Sequence, residues 1–202
     1  MDQPVKKNGL KGRRPTMELA MAVARRILLD DGYAGLTMER VALESRVAKT
    51  TIYRHWPTKA SLCMDLYLDA ARELTDPGLG NIADDLKCLA REVVRLQMRT
   101  VAGPALIGLI AEAQINPESR GAFLAEFAEK RREVTKHILR RAIERGELSP
   151  DTDIDLVIDA IGGAITFRLL QRHAPVNRQF TDRLIDLVLV GCRIRRQGKS
   201  GR

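Results

Sequence analysis

Between Pro15 and Pro175 the apolar residues recur three and four positions apart, and nowhere alternate with polar ones over a strand's length. That spacing lays apolar side chains along one stripe of an α-helix, whereas a half-buried strand needs a period of two. Prolines at 15, 57, 77, 104, 117, 150 and 175 divide the pattern into segments, because the residue before a proline avoids the helical region. No Asn-Gly or Asp-Gly pair sits between β-branched runs, so no hairpin is expected.

A first helix is predicted over about Thr16–Asp31, with Ala20, Val23, Ala24, Ile27 and Leu28 on one face. "DDG" at Asp30–Gly32 reads as its end, with glycine in a left-handed cap. Thr37 caps a second helix and Glu39 favours its dipole. A short third helix covers about Lys49–His55, closed by Pro57. Thr58 caps a fourth that runs to about Thr75. Five more are predicted at about Ala83–Val101, Pro104–Gln114, Glu118–Arg145, Ile154–His173 and Phe180–Arg195.

On the third helix Ile52 and Trp56 are four residues apart, so they share a face that must pack inward. Lys49, Thr50 and Tyr53 then point outward, with Arg54 at the edge. Hydroxyls and positive charge on an exposed helix start suit a DNA major groove and its phosphates. The tight turn Ser45–Ala48 makes the second and third helices a helix-turn-helix.

Charge distribution supports a polyanion partner. Residues 1–60 hold 12 Lys/Arg against 6 Asp/Glu, and residues 61–190 hold 17 against 20. Arg13 and Arg14 end a basic arm able to cross a phosphate backbone or enter a minor groove. The basic C-terminal tail reads as a solubilising segment.

The stretch "GYAGLTMERVALESRVAKTTIYRHWPTKASL" resembles the helix-turn-helix of the tetracycline-repressor (TetR) family of bacterial transcription regulators. The likeness spans about Pro15 to Leu68. "RAIERGELSPDTDIDLVIDAIGGAITFRLL" resembles a frequent stretch of that family's regulatory domain, a weaker signal. The resemblance implies that Thr37, Tyr53, His55 and Lys59 contact phosphates and that Lys49, Thr50 and Thr51 face the groove. His55 reads equally well as a helix-end residue near the dipole. Two departures stand out. Arg46 occupies the turn where the family usually has glycine: either it takes the left-handed strain or the turn is shaped differently, and a phosphate contact would be its compensation. Ala48 replaces the usual capping serine, which leaves the groove helix loosely held.

The expected architecture is all-α: a three-helix helix-turn-helix DNA-binding domain (15–60) after the arm (1–14), a helical ligand-binding and dimerisation domain of about six helices (61–195), and a basic tail (196–202). The penultimate helix, with Ile161, Gly162 and Ile165, and the last, with Leu184, Leu187, Val188 and Gly191, are expected to build a homodimer. Gln97, Leu106, Ile110, Gln114, Phe127, His137 and Phe167 are the candidate lining of a pocket for a small, mostly apolar effector. Double-stranded DNA is the expected macromolecular partner.

An enzyme is disfavoured. His55, His137 and His173 lack metal-ligand spacing, and no phosphate-binding or nucleophile motif is present. Asp84, Asp85, Asp151, Asp153 and Asp155 read as caps and turn residues. No cofactor or metal is expected. Cys63, Cys88 and Cys192 read as buried free thiols. No apolar run approaches the roughly 18 residues of a membrane span, and the N-terminus lacks a signal-type stretch, so a cytoplasmic location is expected. A helical adaptor using its basic ends on anionic lipid is the other rival.

Overall fold

The computed structural model describes residues 15–123 and 129–192. Among these its regular structure is all helical, without a strand. The helices are α1 (Pro15–Asp30), α2 (Gly32–Gly35), α3 (Met38–Ser45), α4 (Lys49–His55), α5 (Lys59–Ala70), α6 (Ile82–Arg99), α7 (Ala102–Ile115), α8 (Pro117–Ala122), α9 (Glu129–Glu144), α10 (Ile154–Gln171) and α11 (Arg178–Cys192).

Local chemistry accounts for most boundaries. Gly32 takes φ +67° after α1, as "DDG" predicts. Thr58 and Ser61 cap α5 reciprocally, each side chain meeting the other's backbone N–H. Asn81 caps α6 by accepting the Asp84 N–H at 2.9 Å, and Glu147 reaches back to accept the Ile82 N–H at 2.7 Å. The "GEL" tripeptide therefore closes one helix and caps another.

Two expected helices differ. The fourth ends at Ala70 rather than near Thr75. The chain turns there so that Leu74 packs against both apolar clusters and Asp76 meets Arg141 at 2.7 Å. The single helix expected over Glu118–Arg145 is divided into α8 and α9, with residues 124–128 outside the description.

Two cores result. The first joins the N-terminal helices to α5 and α7, through Ala24, Ile27, Leu36, Ile52, Leu66 and Leu106. The second joins α6, α9, α10 and α11, through Leu86, Leu89, Ile138, Ile161 and Ile185. Helix α6 enters both: Val94 belongs to the second and Leu96 to the first. The first core thus crosses the division expected at residue 60.

Tyr33 fastens the N-terminal unit to α7. Its hydroxyl donates to Glu112, whose other oxygen accepts Ser119 Oγ at 3.2 Å. Burial, aided by the Glu112 bond, pushes the phenol pKa well up. Gly108 makes room: a Cβ there would stand 1.9 Å from Tyr33 Cδ2. Cys63 is buried, and that burial pushes its thiol up to about 12; Cys88 and Cys192 are free thiols but only half-buried.

Candidate nucleic-acid interface

Thr37 is extended ahead of α3, and its Oγ1 accepts the Arg40 N–H at 3.1 Å. Arg40 pairs with Asp31 at 2.6 Å and Glu44 at 2.7 Å, which ties α3 down on the outside. At the turn, Arg46 adopts φ 57° and ψ 26°, the left-handed conformation that glycine usually supplies. A non-glycine residue there costs about 1 kcal/mol. Ala48 caps α4 with its carbonyl alone, accepting the N–H groups of Thr51 and Ile52 at 2.9 and 3.1 Å.

Helix α4 turns as its spacing dictates. Ile52 is 0% exposed and Trp56 2%. Burying each such side chain stabilises by about 1.5–3 kcal/mol. Trp56 Nε1 also donates to Asp65 Oδ2 at 2.9 Å, which pins the end of α4 to α5. With those two inside, Lys49, Thr50, Tyr53, Arg54 and His55 are exposed and Thr51 is half-buried. Thr37 and Arg46 are exposed as well. His55 stands edge-on to Trp56, ring centroids 4.5 Å apart, in the last turn of α4. Arg13 and Arg14 lie outside the described residues.

Two placements were not legible in the sequence. Tyr53 Oη donates to Glu39 Oε1 at 2.8 Å, which holds the Glu39 carboxyl below its ordinary range and pushes the phenol up. Lys59 is half-buried: its Nζ donates to the Tyr33 carbonyl at 3.2 Å and lies 3.9 Å from that ring's centroid. It faces the protein in this state rather than a phosphate.

Residues 20–64 match the family model described as bacterial regulatory proteins, tetR family. Residues 76–188 match that for the tetracyclin repressor-like C-terminal domain. The chain belongs to the TetR family. It is a helix-turn-helix transcriptional regulator and not an enzyme. Relatives of this TetR-family chain include the DNA-binding transcriptional repressor TetR of Mycobacteroides abscessus. The two are 30% identical over 176 residues, covering 84% of this chain and 90% of that protein. The HTH-type transcriptional regulator YdeS of Bacillus subtilis is 29% identical over 180 residues, covering 89% and 90%. The crystal structure of the TetR family transcription regulator SCO0332 superposes with a TM-score of 0.74 at 36% identity, covering 87% of this chain and 96% of that one.

The body of this TetR-family chain distributes the remaining expected residues unevenly. Leu106 lies in the first core and Ile110 packs against it. Gln97 is 4% exposed, its Oε1 without a hydrogen-bond partner among the described residues. Gln114 is exposed, its Nε2 donating to the Ile110 carbonyl at 3.4 Å. The His137 side chain is 66% exposed, 3.6 Å from Asp76. Phe167 is 57% exposed. Phe127 lies outside the described residues. The expected pocket residues thus fall partly in the core and partly on the surface.

On the expected dimer helices, Ile161 and Ile165 point inward, 8% and 3% exposed, as members of the second core. They are not free for a partner, which corrects that part of the expectation. The outer face of α10 instead carries Leu156, Ala160, Gly163, Phe167 and Leu170, spaced by four and three residues. On α11, Leu187, Val190 and Gly191 are exposed, and Leu184 and Val188 are half-buried against the second core. Gly162 is half-buried.

The acidic residues weighed for catalysis serve structure. Asp85 is fully buried, accepting the Leu79 N–H at 2.6 Å and Arg141 at 2.8 Å. Asp153 caps α10 through the Leu156 N–H at 3.0 Å, and Asp155 meets Arg132 at 2.8 Å. Among the described residues no group of three or more His, Cys, Asp or Glu is placed to hold a metal ion. No single described helix is long and apolar enough to cross a membrane; α6 and α7 meet both conditions only as a pair, bent by 85° at the break between them.

Proposed function

We propose that this regulator is a ligand-responsive repressor that binds a near-palindromic operator as a homodimer. The observation that carries the reading is the orientation of α4. Ile52 and Trp56 are buried, so Lys49, Thr50 and Tyr53 are presented outward beside exposed Arg46 and Arg54. Lys49, Thr50 and Thr51 read base edges, while Thr37, Arg46, Tyr53, Arg54, His55 and Lys59 hold phosphates, joined by Arg13 and Arg14 of the arm. Lys59 makes that contact by leaving Tyr33.

One such unit covers a single half-site, and two-fold pairing supplies the second. The exposed apolar row on α10, with Leu187 and Val190 on α11, supports pairing through these helices. A membrane helix would bury such a row in lipid, but α10 carries acidic Asp155 and Asp159 within it. Repression is supported by the name of the Mycobacteroides abscessus relative. Gln97 Oε1, buried without a hydrogen-bond partner among the described residues, supports a bound effector, since an unsatisfied buried acceptor costs about 1–3 kcal/mol. Effector control works through differential affinity: a ligand favouring one spacing of the two reading units changes operator affinity by that preference. Such a regulator works in the cytoplasm.

Selection of bound sequences from a random DNA pool tests this. A symmetric motif with half-sites about 34 Å apart, or a multiple, is expected, with binding that weakens steeply with salt. Enrichment of no symmetric motif overturns the reading.

A further inference from the structure

A cleft of about 710 Å³ opens between α6 and the start of α11. Arg91, Arg95 and Arg99 line it from α6, four residues apart and therefore on one stripe, and Arg178 lines it from the first turn of α11. Like charges at that spacing repel. Carboxylates meet three of the four, Arg178 only at the longer distance of 3.6 Å and through a carboxylate shared with Arg91. Asp182 engages Arg91 through bonds of 2.8 and 2.6 Å, and Glu92 engages Arg95. Arg178 is 77% exposed and 3.6 Å from the already engaged Asp182. Arg99 is exposed and meets no carboxylate among the described residues. Asn177, in the same lining, caps α11 by accepting the Phe180 N–H at 2.9 Å, so the positive end of that helix opens here too.

The lining is not only cationic. Val94 and Val176 are 7% and 8% exposed, and Met98 is 58% exposed. Inorganic phosphate would leave this apolar surface wet, and a plain hydrocarbon would leave Arg99 unanswered and Arg178 with only its 3.6 Å share of Asp182. The volume falls in the range of small-molecule sites, about 300–1,000 Å³.

We propose that this cleft binds an amphipathic anion, a carboxylate or phosphate head on a hydrocarbon chain. Its head lies between Arg99 and Arg178 and its chain against Met98 and Val94. The site sits where α6 passes from one core to the other and touches α11, which carries part of the proposed pairing face. A ligand bridging α6 and α11 therefore acts on the relation between reading unit and pairing face. That effector role rests on the regulator reading; the binding itself does not.

Calorimetric titration of the full chain with decanoate, 1-decanol and inorganic phosphate tests the site, using the wild type, Arg99→Glu and a distant control, Arg140→Glu. Decanoate is expected to bind saturably below about 1 mM. Decanol and phosphate should each bind at least about tenfold more weakly, because each lacks half of the recognition. Arg99→Glu should weaken decanoate by about tenfold or more, and Arg140→Glu should leave it unchanged. Circular dichroism checks folding, and Arg178→Glu, at a highly exposed position, replaces Arg99→Glu should that variant misfold. No decanoate binding, equal binding by wild type and the cleft variants, or decanol binding as well as decanoate would each overturn the site. So would binding to phosphatidylglycerol vesicles without binding of monomeric decanoate, which assigns the patch to a lipid surface. Decanoate binding without any selected operator leaves the site standing and sinks the regulator reading; a selected operator with no decanoate binding does the reverse.

Discussion

The Tyr53 hydroxyl on the groove-facing helix donates to Glu39 on the neighbouring helix, at 2.8 Å. A phosphate is a stronger acceptor and competes for the same hydroxyl. The carboxylate also sets a negative charge on the face that meets the duplex. Glu39→Gln is therefore expected to tighten operator binding by about threefold at ~0.1 M salt, measured by fluorescence anisotropy on a selected duplex. Weaker binding would mean that Glu39 instead holds Tyr53 ready for its phosphate.

The turn and start of α4 carry two local costs, left-handed Arg46 and the Ala48 cap without a side-chain acceptor. Ala48→Ser should raise stability by about 0.5–2 kcal/mol and slow amide exchange over residues 49–53. In the free wild type, exchange across 46–55 should be faster than in α1. Protection there equal to that of α1 would contradict a loosely held groove helix.

Gly108 marks the tightest approach between the N-terminal unit and α7. Gly108→Ala places a methyl 1.9 Å from Tyr33 Cδ2 and displaces the ring that bonds Glu112. The expected cost is about 1–3 kcal/mol. Gly121→Ala, on open helical surface, should instead leave the midpoint level or raise it, with a gain of up to about 1 kcal/mol. Paired denaturant melts read both, and equal responses would remove the close approach as a constraint.

The two faces of the last helices make opposite predictions. Leu187→Glu should yield a well-folded monomer by light scattering, with operator binding lost. Ile165→Ala should keep the oligomeric state while lowering stability by about 2–5 kcal/mol. An Ile165 effect on association without one on stability would restore the expectation that it pairs with a partner.

Acid should destabilise the fold through surface carboxylates. Hydrogen bonds from Arg40, Arg132 and Lys136 hold Glu44, Asp155 and Glu129 below their ordinary pKa. Between the depressed folded value and the unfolded one, the unfolded chain binds more protons, so stability rises with pH across that window. The melting temperature should be level above about pH 5 and fall as pH drops below about 4. Asp155→Asn combined with Glu44→Gln should flatten the fall; an unchanged profile would show that these bonds are not formed in solution.

Much of the reading unit was legible because its signals are local. Ile52 and Trp56 four apart, Pro57 behind them and Thr37 ahead of α3 each act within one or two turns. The expected Lys49–His55 matches α4 end to end. The backbone at Arg46 was not legible: a non-glycine residue in that turn left either a strained left-handed residue or a differently shaped turn, and the chain takes the first. Helix α10 was harder. It is apolar on two faces, with Ile161 and Ile165 on one and Leu156 and Phe167 on the other, and only the position of α9 and α11 decides which is inside. The Tyr33–Glu112 bond joins residues 79 apart, beyond any local pattern. The pocket residues were harder to assign because Phe and Leu at helical spacing look alike whether they face a neighbour, as Leu106 does, or solvent, as Phe167 does.

Trp56 is the chain's sole tryptophan, buried at the end of α4 with its indole nitrogen tied to Asp65 on α5. The protein thereby contains its own optical gauge. A rotation of α5 that drags the end of α4 must stretch or break that tie, and the emission colour would register it without any attached dye.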